Sequence, residues 1–539
     1  MKKIAVLFLL ATISCATPQE TPTVSEKTFE KHVAILASDE FQGRLPFTEG
    51  EKKTVAYLED QYKSIGLEPG NGTSYTQEVP MVEITATTDP VMIIKKGDKE
   101  AVRITGRDRF VLWTERTDSV IQIKDDEIVF AGFGVVAPEY NWNDYEGLDV
   151  KGKVVLVLVN DPGFGGTDTT FFKGSTMTYY GRWTYKFEEA ARQGAKACFV
   201  IHNEVPAGYA FNVPQNNWNA PHLYLDESNS HEYKCAGIGW IPKQTAENLF
   251  DLAGIEFSEE QSAARKPGFK GRSLGLTASV GMTVKSKRDK SYNVIGKITG
   301  KTKPDEYVLY TAHWDHIGIG RPDAEGDTIN NGAEDNASGT AGLLELARMF
   351  KAGEQPERTI LFLAVTAEEQ GLQGSAYYAQ NPIYPVDKTV ANINIDGLGS
   401  YGKMKDIVVI GNGQSQLEDY LGEEAKKADR YIAREPNPVA GLYFRSDHFN
   451  FAKVGIPALF TATGIDHAIK GKDYGKRLEE EFTRKHYHQP SDEYDSMTWN
   501  SEGALSDLTL LYLVGKRLAF GTEWPEWKNS SEFKQLRSR

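Results

Sequence analysis

At 539 residues the chain is too long for one simple core, so two or more domains are expected. Its 40% hydrophobic and 25% charged residues exclude a disordered chain and describe an ordinary folded protein. A formal net charge of -14 leaves no basic excess to neutralise phosphates, which argues against a nucleic-acid partner.

The chain opens with Lys2 and Lys3, then an apolar stretch, Ile4 to Ile13, too short to span a bilayer. This reads as an export signal over residues 1–15. Ser14-Cys15 resembles the cleavage box of bacterial lipoproteins, with Cys15 as the lipidated first residue, although Thr12 stands where such boxes usually have leucine. An ordinary signal peptide cut nearby is the alternative. Either way the expected location is the bacterial periplasm or cell envelope, with a lipid anchor to the membrane through Cys15 in the first case.

Residues 16–26 are rich in Thr, Pro and Glu and read as a flexible tether. Two helical patterns follow. One starts at Thr28; the other places Val55, Leu58, Tyr62 and Ile65 at helical spacing and stops at Gly66. Residues 74–106 alternate as strands, with a hairpin turn at Lys96-Gly97-Asp98.

From Arg107 to Gly275 the character changes to short strands around one helix. This β-rich module offers no cluster of His, Cys and carboxylate residues. Its aromatics, Trp142, Tyr145, Tyr179, Tyr180 and Trp183, suit core packing and loop anchoring more than a groove. Of the cysteines beyond Cys15, Cys198 falls in an apolar strand pattern and reads as a buried thiol more than as a partner for Cys235. Alternation resumes at Thr277 to Lys285 and Tyr292 to Ile298, so the module is expected to be inserted into one discontinuous domain, 27–106 and 276–523, with a tail over 524–539.

The stretch from Tyr307 to Gly399 carries the chemistry. The apolar run Tyr307 to Ala312 is closed by His313, Asp315 and His316. Asp335 enters a Gly/Ala-rich turn before an amphipathic helix. A second run, Ile360 to Val365, ends in Glu368 and Glu369, and a third ends in Asp396; His488 follows far downstream. Helical patterns between the runs are long enough to cross back over a sheet. The fold class expected is therefore α/β, a mixed and largely parallel sheet flanked by helices, with its carboxyl-end loops gathered on one side.

Two metal ions sharing one carboxylate account for this set. One would take His313, Asp335 and Asp396, the other Asp335, Glu369 and His488, and all-N/O ligands suit zinc. Such a pair activates a water and polarises a carbonyl. Glu368 is then free to act as general base, and Asp315 could accept the second imidazole N–H of His313. Taken singly, each residue has a plainer role: a hydrogen-bonded histidine, acids at a helix start, an N-cap at Asp335. Together those roles fail, because charges at the ends of apolar runs are costly unless coordinated.

The motifs HWD, GAEDNASG, AEEQGLQGS, NIDGLG and YHQPSD, in that order, resemble the co-catalytic zinc aminopeptidase family. That family also includes glutamate carboxypeptidases, the inactive transferrin receptor and glutaminyl cyclases. The resemblance implies two Zn(2+) ions per chain held by His313, Asp335, Glu369, Asp396 and His488, with Glu368 as base and Tyr487 as hydroxyl donor to the tetrahedral oxyanion. LASDEFQGR and IGLEP look like the family's N-terminal signature, and Ser446 to Ala458 is similar to its late substrate-side loop. The inserted module resembles a protease-associated domain. The activity implied is an exopeptidase removing N-terminal residues from peptides. The carboxypeptidase branch shares every ligand and differs in a basic pocket for the substrate carboxylate; Arg445 is a candidate for that pocket or for positioning a peptide carbonyl. A non-catalytic binding protein on the same scaffold is the other alternative, and retention of Glu368 with all five ligands argues against it.

Overall fold

All eight residues of the strand Arg358–Val365 are buried, as a strand covered on both faces should be. It lies in the main sheet of a computed structural model that describes residues 22–228 and 232–537. The expected signal segment, Cys15 and the first part of the tether lie outside the described residues. Among the described residues no helix is long and apolar enough to cross a membrane.

Two helices come first. Helix α1 (Glu26–Leu36) starts at Ser25, whose hydroxyl accepts the Thr28 N–H at 3.3 Å. Helix α2 (Glu49–Ile65) ends at Gly66, which at φ 86° supplies the left-handed residue that closes a helix. The chain then leaves on the long strand β1 (Thr76–Thr88) and turns through β2 (Val91–Lys96) and β3 (Lys99–Thr105), with Lys96 opposite Lys99 across the expected hairpin.

The next strands build the module. β4 (Val120–Phe130), β5 (Val154–Leu158), β6 (Ala197–His202) and β7 (Gly237–Pro242) run parallel in that order. Helix α3 (Trp183–Arg192) lies between β5 and β6 in sequence, as a parallel crossover requires. Cys198 and Cys235 are both buried and free.

Strand β8 (Arg272–Ile298) joins the two parts of the molecule. At its start it pairs with β2 and β4; from Met282 to Val294 it pairs with β1; and from Val294 to Ile298 it pairs with Arg358–Val365 of the main sheet. The boundaries expected at Arg107 and Gly275 therefore fall inside one packing unit. Met92, Ile94 and Ile104, with Leu276, Ala278, Val280 and Met282, are buried in the same cluster as Phe110, Phe130, Phe199 and Trp240. Residues 82–104 and 276–284 belong with the module by packing. Alternation reports that one face of a strand is buried but not against which core, and β8 passes from one core to the other without a break.

The main sheet continues with β9 (Lys303–His313), helix α4 (Gly339–Ala352), β10 (Arg358–Val365), β11 (Thr389–Ile395), β12 (Asp406–Val409) and β13 (Ala458–Thr463). Its order is β8–β10–β9–β11–β13–β12, with the four central strands parallel, β8 antiparallel to β10 and β12 antiparallel to β13; the short strand Tyr431–Arg434 adds to β12 in parallel. This is the mixed, largely parallel sheet expected. Helices α5 (Lys472–Lys485) and α6 (Glu502–Phe520) follow. Phe29 and Val33 of α1, Leu344 and Phe350 of α4, and Leu508 and Leu511 of α6 share one core with Val308, Ile360 and Ile393. Each such side chain contributes about 1.5–3 kcal/mol by leaving water. The expected tail is part of the fold: Trp527 and Phe533 are buried with Tyr443 and Phe449, and the Trp527 indole N–H donates to the Gly455 carbonyl.

Register positions the functional residues. His313 lies opposite Val365, and Thr311 opposite Asn394, so β9, β10 and β11 finish side by side. The loops that follow them meet at the carboxyl edge of the sheet.

Candidate metal centre

Asp335 stands between two histidines. Its Oδ1 lies 3.4 Å from His313 Nε2, and its Oδ2 lies 3.2 Å from His488 Nε2. His313 Nε2 also lies 3.1 Å from Asp396 Oδ1, and His488 Nε2 lies 3.0 Å from Glu369 Oε2. A tetrahedral zinc ion with bonds of about 2.0–2.1 Å separates neighbouring ligand atoms by roughly 3.3 Å, so these spacings fit that ion. His313, Asp335 and Asp396 offer ligand atoms within 4.8 Å of one another, and so do His316, Asp335 and Glu369. Both groups contain Asp335, as a shared carboxylate would require.

His316 is the residue whose place the sequence reading left open. Its Nδ1 lies 2.7 Å from Glu369 Oε1, whereas His488 meets Oε2, and among the described residues its buried Nε2 has no hydrogen-bond partner. Two histidines thus flank the second group, where one was expected.

The loops that hold these groups are tied from below. Arg44, fully buried, donates to the carbonyls of Leu36, Trp314, Asn331 and Gly332. It therefore fastens α1 to the loop after His313 and to the loop before Asp335. Burial lowers its pKa to about 10, against the pull of Asp335, Asp492, Asp315 and Glu369. Arg44 closes the LASDEFQGR stretch, and this fastening gives that stretch a physical reason. Asp492, in the motif after His488, accepts the N–H groups of Glu334 and Asp335 at 3.0 and 3.1 Å. Asn336 accepts from the N–H groups of Gly339 and Gly397, and so links the Asp335 loop to the Asp396 loop. Ser446 donates to Asp396 Oδ2, leaving Oδ1 to face His313.

Asp315 has a different task from the one expected. The nearest acceptor to His313 Nδ1 is the Asp315 backbone carbonyl at 3.2 Å, with the carboxylate at 3.8 Å. That carboxylate instead accepts the N–H groups of Glu368 and Glu369, at 3.0 and 3.3 Å. Two residues along a strand-end turn, the main chain reaches the imidazole more easily than the side chain does.

Electrostatics separates the adjacent glutamates. Burial, with Asp396, Glu369 and Asp447 nearby, pushes the Glu368 carboxyl well above its ordinary range, against the pull of His313. Burial and Asp335 also push Glu369 upward, but His488 and the hydrogen bond from His316 overcome them and bring it to about 2. Burial opposes charge on His313 and His488 as well, yet the surrounding carboxylates raise both well above the usual imidazole value. Glu369 is thus poised as an anion with two nitrogen partners, whereas Glu368 is a buried carboxyl that reaches for a proton.

Tyr487 stacks on His488 with ring centroids 3.9 Å apart and is half exposed. Burial of its hydroxyl and the charges of Asp335, Glu369, Glu368 and Asp396 raise its pKa well above that of a free phenol. It remains a donor. Among the described residues no carboxylate lies within 4.0 Å of the Arg445 guanidinium, which lies 5.8 Å from the ring centre of Tyr209, in the module.

Known proteins resemble this chain over the same region. The family model described as Peptidase family M28 matches residues 293–513. A probable zinc metalloprotease of Pyrenophora tritici-repentis is 41% identical over 108 residues, 20% of this chain and 22% of that protein. Aminopeptidase YwaD of Bacillus subtilis is 29% identical over 331 residues, 60% of this chain and 57% of that protein. The matches thus span less than two thirds of either relative. Among solved structures, an aminopeptidase from Aneurinibacillus sp. strain AM-1 is similar in fold, with a TM-score of 0.52 at 20% identity over 93% of this chain and 95% of that one. Over residues 293–513 the chain is therefore similar to peptidase family M28.

Proposed function

We propose that the chain is a zinc-dependent aminopeptidase that holds two zinc ions and removes N-terminal residues from peptides. The observation that carries this reading is the pair of histidine–carboxylate groups meeting at Asp335, with buried Glu368 beside them. His313, Asp335 and Asp396 would hold one ion and Asp335, Glu369 and His488 the other, with His316 set against the Glu369 carboxylate. Zinc, when bound, supplies Lewis acidity toward the scissile carbonyl and makes a water nucleophilic at neutral pH.

The chain's own residues do the rest. Glu368 takes the proton from the attacking water and passes it to the leaving amine. Tyr487, protonated and half exposed, donates its hydroxyl to the oxyanion. Ser446 and Asn336 hold the Asp396 loop, and Asp492 holds Asp335, so the carboxylates stay aimed without rearrangement. The inserted module, read as a protease-associated domain, stands beside the site and limits which peptides reach it.

Incubation of the purified protein with peptides of defined sequence, followed by identification of each released residue, tests this. The expected result is release from the N-terminus, lost with a chelator and restored by zinc. Release from the C-terminus, or release that ignores the chelator, would overturn it.

A further inference from the structure

Glu369 and His488 belong to the second ion group alone, and His316 touches both. Its Nδ1 lies 2.7 Å from Glu369 Oε1, and its ring meets the His488 ring edge-on, with centroids 5.6 Å apart. An ionised carboxylate can only accept, so the proton of the first contact sits on Nδ1. The other ring nitrogen, Nε2, is buried and has no hydrogen-bond partner among the described residues. No step of the reaction uses this histidine.

Spacing separates His316 from the ligands. Two ligand atoms on one tetrahedral zinc ion stand roughly 3.3 Å apart, and His488 Nε2 lies 3.0 Å from Glu369 Oε2. At 2.7 Å, His316 Nδ1 and Oε1 stand at the distance of a charge-assisted hydrogen bond. The first group has the same arrangement. Ser446 donates to Asp396 Oδ2, so Oδ1 is left to face His313. His316 occupies Glu369 Oε1, so Oε2 is left to face His488.

The ring is also clamped from behind. His316 is fully buried, and a Cβ added to Gly332 would stand 2.6 and 2.7 Å from its Cδ2 and Cγ. Only glycine lets the main chain close against the ring there. Gly332 takes φ 56°, and its carbonyl accepts from Arg44 Nη2. A ring held in this way keeps its N–H aimed at Oε1.

We infer that His316 is a positioning residue for the ion at Glu369 and His488: its Nδ1–H caps one oxygen of Glu369, so that this carboxylate binds through the other oxygen alone. The inference rests on the two-ion reading and deepens it. A carboxylate free at both oxygens can grip an ion with both. Binding through one keeps a position on the ion open, as a catalytic site requires.

Stepwise metal binding to the full-length, metal-free chain tests this without recourse to hydrolysis. Zinc would be titrated against a competing chelator. Cobalt(II) would be titrated in parallel, with its visible absorption reporting coordination. His316→Asn keeps an N–H donor near the place of Nδ1 and discards the unpartnered nitrogen. His316→Leu keeps bulk and removes the donor. The leucine variant should show one of its two binding steps weakened by about 10–100-fold and the other unchanged. Its cobalt absorption for the weakened step should fall, because a two-oxygen grip raises the coordination number. The asparagine variant should match the parent chain in both steps. If leucine prevents folding, judged by thermal unfolding of the metal-free chain, His316→Ser replaces it, being too short to reach Oε1. Equal binding by the parent chain, the asparagine variant and the variant without a donor would overturn the inference. So would loss of one ion from both variants, which would make His316 a ligand, and so would equal weakening of both steps, which would make it a support for the fold. A parent chain that takes up one ion only would contradict the two-ion reading itself, and the inference would fall with it.

Discussion

Ala367 turns the chain through the left-handed region just before Glu368 and Glu369, at φ 52°. That turn lets two adjacent carboxylates leave the strand end in different directions and take different work. Glu368→Gln keeps size and hydrogen bonding but cannot accept a proton. It should lower kcat by about 10²–10⁴-fold, which is roughly 3–5 kcal/mol of barrier, while zinc content and KM stay close to those of the parent chain. Glu369→Gln removes a charge that His316 and His488 both face, so it should lose zinc. Zinc loss from Glu368→Gln with retention by Glu369→Gln would reverse the two roles. At this scale the sequence was informative where a charge closes an apolar run, as at His313, Glu369 and Asp396. It was silent on His316, three residues past His313, because adjacency does not say which way a ring turns. It misjudged Asp315, whose own main-chain carbonyl reaches the imidazole before its carboxylate does.

Strand β8 decides how the elements divide. Because it runs unbroken from the module core to the main sheet, the natural cut lies across the β1–β8 ladder, where Met81 faces Asp289. Replacing residues 82–288 by an Asn-Gly turn should leave a soluble, folded domain, since that dipeptide suits a two-residue hairpin. Excising only 107–275 strands Met92, Ile94, Ile104, Leu276 and Met282 without their core. That variant should aggregate or melt at least several degrees lower than the first, measured by soluble yield and thermal unfolding. Equal behaviour of the two would show that residues 82–104 and 276–284 do not depend on the module. The main sheet was legible because its strands are long, apolar and separated by crossover helices. The module's true edge was not, because period-two alternation looks the same on either side of it.

For the whole molecule, the claim on which the rest depends is that five residues from five separate stretches hold two ions about one carboxylate. Arg44, Asp492 and Asn336 brace the loops for that purpose, and the module packs on the main domain where Tyr179 meets Phe449. Titration of zinc into the metal-free chain, following bound metal and release of the N-terminal residue of a peptide in the same samples, tests this most directly. The account predicts binding that saturates at about two zinc ions per chain, with full activity reached only as the second is taken up, and an Asp335→Asn variant that loses tight binding of both. Saturation of metal and activity together at about one equivalent, unchanged by Asp335→Asn, would contradict it.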